Sequence, residues 1–152
     1  MMRVFTVVAT TLCVGCVPFP HTVVRLPAMS GHVVTTGTPV VGAQIFAAYG
    51  PMSDPCLTTN QLAITDVSGA FIIEKERQLR FLYAPLVAPI SIAGISLCIS
   101  SGAPPVFADQ VMWQPYDAKN IILECDLASP HTFIDINGRS RTRLCQATED
   151  VH

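Results

Sequence analysis

The sequence predicts an all-β protein, a two-sheet sandwich of about seven to eight strands that ends in a C-terminal hairpin. Three observations lead there. Twelve Pro and nine Gly are scattered among runs of Val, Ile and Thr, which favours many short strands over helices. No stretch carries a helical stripe of ordinary length. Two turn signals stand between alternating segments: Asp66-Val67-Ser68-Gly69, with its Gly last, and Asn137-Gly138, whose residue types favour a two-residue connection with positive φ at both centres.

The elements follow in order. Residues 31–36 and 41–49 read as the first two strands, divided by Gly37 and Pro39. A turn-rich loop, Gly50-Pro51-Met52-Ser53-Asp54-Pro55, leads to Cys56, and strands are expected at 62–66 and 70–75. Glu74-Lys75-Glu76-Arg77 reads as a polar connection and 79–86 as a short apolar piece. In 89–100, Ile90 and Ile92 alternate, then Ala93-Gly94 shifts the parity toward Ile95, Leu97 and Ile99, which predicts a bulge at the glycine. A strand is expected over 106–113. In 120–127, Ile121, Leu123 and Cys125 share one face, and Glu124 and Asp126 the other, as on an edge or half-exposed strand. Asn137-Gly138 then closes the hairpin.

The N-terminus reads as an address. Met1-Met2-Arg3 is a short positive segment, and the apolar run from Val4 to Val14 is too short for a permanent membrane span but suits a secretory leader. Cys13-Val14-Gly15-Cys16 resembles the lipobox of bacterial lipoproteins, with Cys13 in place of the usual Leu. The resemblance implies cleavage after residue 15 and acylation of Cys16, a palmitate-type anchor of three chains. Val17 after the cysteine, where inner-membrane lipoproteins carry Asp, points to the outer membrane, facing the periplasm or the cell surface. A redox or metal reading of the same four residues lacks the polar setting that lowers a thiol pKa. The expected organisation is a signal peptide over 1–15, a proline-rich tether over 16–29, a sandwich domain over 30–146 and a flexible tail over 147–152.

Gly31-His32-Val33, Gly37-Thr38-Pro39-Val40-Val41-Gly42-Ala43 and Thr65-Asp66-Val67-Ser68-Gly69-Ala70-Phe71 together resemble the carboxypeptidase regulatory-like domain of the transthyretin-like sandwiches. The match is to a fold that unrelated functions share. Cys56, Cys98, Cys125 and Cys145 remain in the mature chain, an even number that suits two disulfides in an oxidising compartment, and four cysteines allow three connectivities. The family topology, by setting the strand of Cys98 beside the second strand, implies Cys56 with Cys98 and leaves Cys125 with Cys145.

Little in the sequence suggests catalysis. The hydrolase elbow, the zinc-protease helix and the phosphate loop are absent. His21 and His152 fall in the expected tether and tail, His32 on an outward strand face, and His131 in a loop with no nucleophile nearby. Asp66 suits a turn former bonded to its own backbone. The cysteines and histidines lack zinc-ligand spacing, so no metal or cofactor is expected. Enzymes of the transthyretin-like fold would show a Tyr-Arg-Gly-Ser ending or an iron-binding Tyr/His set, and neither stands here. With net charge −2 and pI near 6.0, no basic field exists for nucleic acid.

Arg139, Arg141 and Arg143 recur at period 2. They concentrate positive charge for an anionic lipid, glycan or acidic partner, or they protect an edge strand from unwanted pairing. The expectation is a lipid-anchored, non-catalytic envelope module that binds another envelope protein. The runner-up is a module for carbohydrate or another small ligand, using Trp113 and Tyr116.

Overall fold

The computed structural model describes residues 19–48, 56, 59–82, 92–134, 138 and 140–149, with main chain alone at Phe19, Phe81, Leu82 and Arg141. These residues form strands and no helix: β1 (Phe19–Leu26), β2 (Met29–Thr35), β3 (Thr38–Pro39), β4 (Gln44–Ala48), β5 (Thr59–Ile64), β6 (Ala70–Ile73), β7 (Glu76–Leu82), β8 (Ala93–Ser100), β9 (Val106–Trp113), β10 (Ile121–Asp126), β11 (His131–Ile134), β12 (Ser140–Arg143) and β13 (Cys145–Glu149).

Two sheets carry the core. One runs β13-β10-β2, with β6 and β3 both antiparallel to β2; the other runs β5-β4-β8-β9. Period-2 alternation explains which faces meet. On β2, Met29, Gly31 and Val33 turn inward while Ser30 and His32 face out. Ile121, Leu123 and Cys125 of β10, Phe71 and Ile73 of β6, Ile45 and Ala47 of β4, and Ile95, Leu97 and Ile99 of β8 join one apolar cluster. Each fully buried Leu, Ile or Phe in it stabilises the fold by about 1.5–3 kcal/mol relative to exposure.

Two neighbouring crossings between the sheets, from β3 to β4 and from β5 to β6, are tied by Thr65. Its Oγ1 accepts the Ala43 N–H at 2.8 Å and donates to the Val40 carbonyl at 2.6 Å. Its main chain bonds to Gly42 and Ala43 as well. On the opposite side β9 meets β13 directly, where the Leu144 N–H donates to the Ala108 carbonyl at 2.8 Å. Cys56 is joined to Cys98 on β8, and Cys125 of β10 to Cys145 of β13, which stand opposite one another in the ladder with Cα atoms 3.9 Å apart.

Several elements depart from the sequence expectation. The described residues alone form thirteen strands, short ones included, where about seven to eight were expected. Residues 19–26, expected as tether, are β1, paired along its length with β7. A register shift between Val24 and Leu26 breaks the alternation of buried Val23 and Leu26, so the segment shows no readable period. β7 in turn includes Glu76 and Arg77 of the expected connection, because main-chain bonds to β1 hold it whatever its side chains. The tail is likewise strand as far as Glu149: only Cys145 of β13 is buried, and the β10 ladder fixes the rest. β10 lies inside its sheet, with β13 on one side and β2, in parallel, on the other.

Two turn assignments also change. The bulge falls on β9, where Leu97 faces Asp109 and Cys98 faces Phe107, leaving Ala108 as the extra residue. Gly94 pairs regularly with Met112; a Cβ there would lie 3.2 Å from both Met112 Cγ and the Val111 carbonyl oxygen, so close approach explains the glycine. The two-residue hairpin is Thr36-Gly37, between paired Thr35 and Thr38, with φ of 53° and 77°. The C-terminal hairpin pairs β11 with β12, Ile134 opposite Ser140, and the expected turn residue Asn137 lies outside the described residues.

Candidate functional site

β1 and β7 form a two-stranded ribbon beside the core, and among the described residues only its β1 edge is docked. On the β1 side the Val24 N–H donates to the Pro115 carbonyl at 2.8 Å and the Trp113 indole N–H donates to the Val24 carbonyl at 3.1 Å. His21 stacks obliquely against Tyr116, ring centroids 5.7 Å apart. Lys75, just before β7, reaches the Ala118 carbonyl at 3.1 Å. The outer edge of β7 differs. Among the described residues no strand but β1 pairs with it, and Glu76, Arg77, Gln78, Leu79 and Arg80 are all exposed, Leu79 by 59%. An edge of seven residues that no second described strand covers is a template for another strand.

The second polar feature is the β9–β13 seam. Asp109 is buried there and takes N–H groups of Gln110 and Ala147, with Arg143 near enough to act on its charge. Burial outweighs these partners and holds the Asp109 carboxyl above its ordinary value of 3.8. A carboxyl raised in the native state keeps its proton where the unfolded chain has lost it. The associated stability is full below pH 3.8 and falls as pH rises through the native value. Asp109→Asn has no proton to lose, so its stability relative to the parent should grow as pH is raised from 3.8 to neutrality, read by urea unfolding at stepped pH. Parallel curves for the two proteins would refute this.

Of the three arginines, Arg139 lies outside the described residues, and only the main chain of Arg141 is described. Arg143 is not displayed to solvent as a free cation: its guanidinium lies 5.3 Å from the Phe133 ring centre, and its Nε is buried without a hydrogen-bond partner among the described residues.

A cleft of about 410 Å³ opens at the end of the sandwich, with Ile92, Met112, Trp113 and Ile121 for walls and the Lys119–Glu149 ion pair, 3.1 Å, at its polar side. Trp113 and Tyr116, the pair expected to serve a small ligand, have different surroundings. Trp113 is 7% exposed with its N–H already bonded, while Tyr116 stands against His21.

The remaining candidates have structural surroundings. His32 is exposed, 3.9 Å from Glu124 on the neighbouring strand, and His131 is exposed on β11 rather than in a loop. Asp66 accepts the Ser68 N–H and hydroxyl and the Ala70 N–H at 2.7–3.0 Å; these bonds lower its pKa. His152 and Cys16 lie outside the described residues. Among those described, no three of His, Cys, Asp and Glu converge as metal ligands.

No protein-family model, no curated protein and no solved structure matches this chain. Its own geometry therefore carries the functional reading. Sequence reasoning missed both the β7 edge and Asp109. The first shows no apolar alternation, and the second shares the inward face of Val111 and Trp113, where a lone carboxylate among apolar residues was not singled out.

Proposed function

We propose that this chain is a lipid-anchored protein of the bacterial outer membrane whose domain, a transthyretin-like or carboxypeptidase regulatory-like sandwich, has no catalytic role and binds another protein. The observation that carries the reading is the outer edge of β7: a ribbon docked along β1 presents on its other side seven residues that pair with no further strand among the described residues. Strand addition there gives the partner main-chain hydrogen bonds and leaves specificity to alternate side chains. Asp66 and Thr65, the polar residues of the family-like motif, serve turns and crossovers, which supports a structural use of that motif. For the anchor, the support is the leader ending in Gly15-Cys16.

A photoreactive residue in place of Leu79, in cells making the full chain, tests the binding edge. The expected result is a discrete protein adduct whose cross-linked peptide maps to a strand, absent when the probe replaces exposed Thr132 on β11. Adducts with lipid alone, or none above the Thr132 background, would overturn the reading.

A further inference from the structure

Resting on β7 as the docking edge, we propose that the strand it receives is β7 of a second copy, paired antiparallel about a two-fold axis through Gln78. The strand reads Glu76-Arg77-Gln78-Leu79-Arg80-Phe81-Leu82, and its charges select one register. Centred on Gln78, Glu76 of each copy stands opposite Arg80 of the other, so symmetry makes the pair twice; Arg77 stands opposite Leu79.

Neighbouring registers lose this. Opposed residues of a two-fold antiparallel pair share a face, so the axis passes through a residue and the next registers centre on Arg77 or Leu79. Centring on Arg77 opposes Arg77 to itself and leaves its Glu74–Arg80 pairs beyond the strand's first residue, centring on Leu79 opposes no charges at all, and parallel in-register pairing sets every charge against its like. The same charges that discourage indiscriminate edge pairing thus permit one self-complementary arrangement.

Two further observations agree. Among the described residues the β7 edge pairs with no strand but β1, and pairing two ribbons makes a continuous four-stranded sheet that covers both such edges. Leu79, 59% exposed in one copy, comes within diagonal reach of Leu79 in the other, on the same face. The Arg25–Glu76 contact, 3.8 Å between exposed groups, does not compete strongly, since exposed pairs of this kind are weak.

The test is sedimentation equilibrium of the full purified chain, wild type beside Glu76→Arg, Arg80→Glu and the double exchange. The expected result is a dimer whose dissociation constant rises about tenfold or more in each single variant and returns to near the parent value in the double. Thermal unfolding of each variant separates dissociation from misfolding, and Arg80→Glu leaves the Arg25 contact untouched. A chain that stays monomeric, or a dimer indifferent to the exchanges, overturns the inference. If the chain is monomeric while the Leu79 probe captures a different polypeptide, the self-pairing falls and the binding edge stands; if the probe captures nothing, both fall.

Discussion

Gly31→Ala is expected to cost more than about 4 kcal/mol, enough to abolish a cooperative unfolding transition in a domain of ordinary stability. A Cβ built on Gly31 falls on the carbonyl oxygen of Leu123 and within 2.9 Å of its carbonyl carbon and its Cβ. Leu123 cannot withdraw. Its strand is laddered to β2 on one side and β13 on the other, and two residues along, Cys125 is bonded to Cys145. Gly37→Ala supplies the comparison. Nothing lies within 4 Å of a Cβ there, so only its positive φ of 77° is penalised, by about 1–2 kcal/mol. Urea unfolding of both variants checks the order; a loss below about 1 kcal/mol for Gly31→Ala would show that β10 shifts freely.

Removing the Cys56–Cys98 bond as a double alanine variant should destabilise the domain by about 4 kcal/mol, against about 3 kcal/mol for Cys125–Cys145. The ranking follows from the sequence separations of 42 and 20 residues, since the longer loop restricts the unfolded chain more. Native geometry supports the same order. Cys125 and Cys145 are held opposite each other by a ladder that survives reduction, whereas Cys56 precedes β5 and is tied by its bond to the middle of β8. Denaturant unfolding of the two variants, each with the other bond intact, decides it. The reverse ranking would place the constraint in the native state instead.

How much of this was legible in the sequence differs from segment to segment. Where one face is buried, alternation reported it: Ile121, Leu123 and Cys125 are all inward as their spacing predicts, and Asp66 caps its turn as its residue type predicts. What alternation does not encode is the neighbour. β10 looked like an edge because its outward residues are Glu124 and neighbours with partial exposure, yet sheet position depends on main-chain pairing with strands far along the chain. β1, β7 and β13 were hidden for the same reason, each held largely by backbone bonds rather than by an apolar stripe. Asn137-Gly138 is the better two-residue turn by composition, but Thr36-Gly37 takes that conformation because the Thr35–Thr38 register demands it; the Thr36 N–H finds Asp126 Oδ1 at 3.4 Å.

The candidate site was less legible still. The charges on β7 look like any solvated connection until β1 is seen to occupy one side, with no described strand on the other. Arg143 looked like part of a displayed row until its contact with Phe133 was seen.

The parallel pairing of β2 with β10 has a consequence for synthesis. Met29–Thr35 meets Ile121–Asp126 across about three-fifths of the polypeptide, so a chain emerging from the ribosome lacks the middle of one layer until the residues of β10 are out. Until then the nascent chain has no closed apolar interior and stays threadable, a condition that favours passage through a narrow channel before folding and calls for a holding chaperone meanwhile.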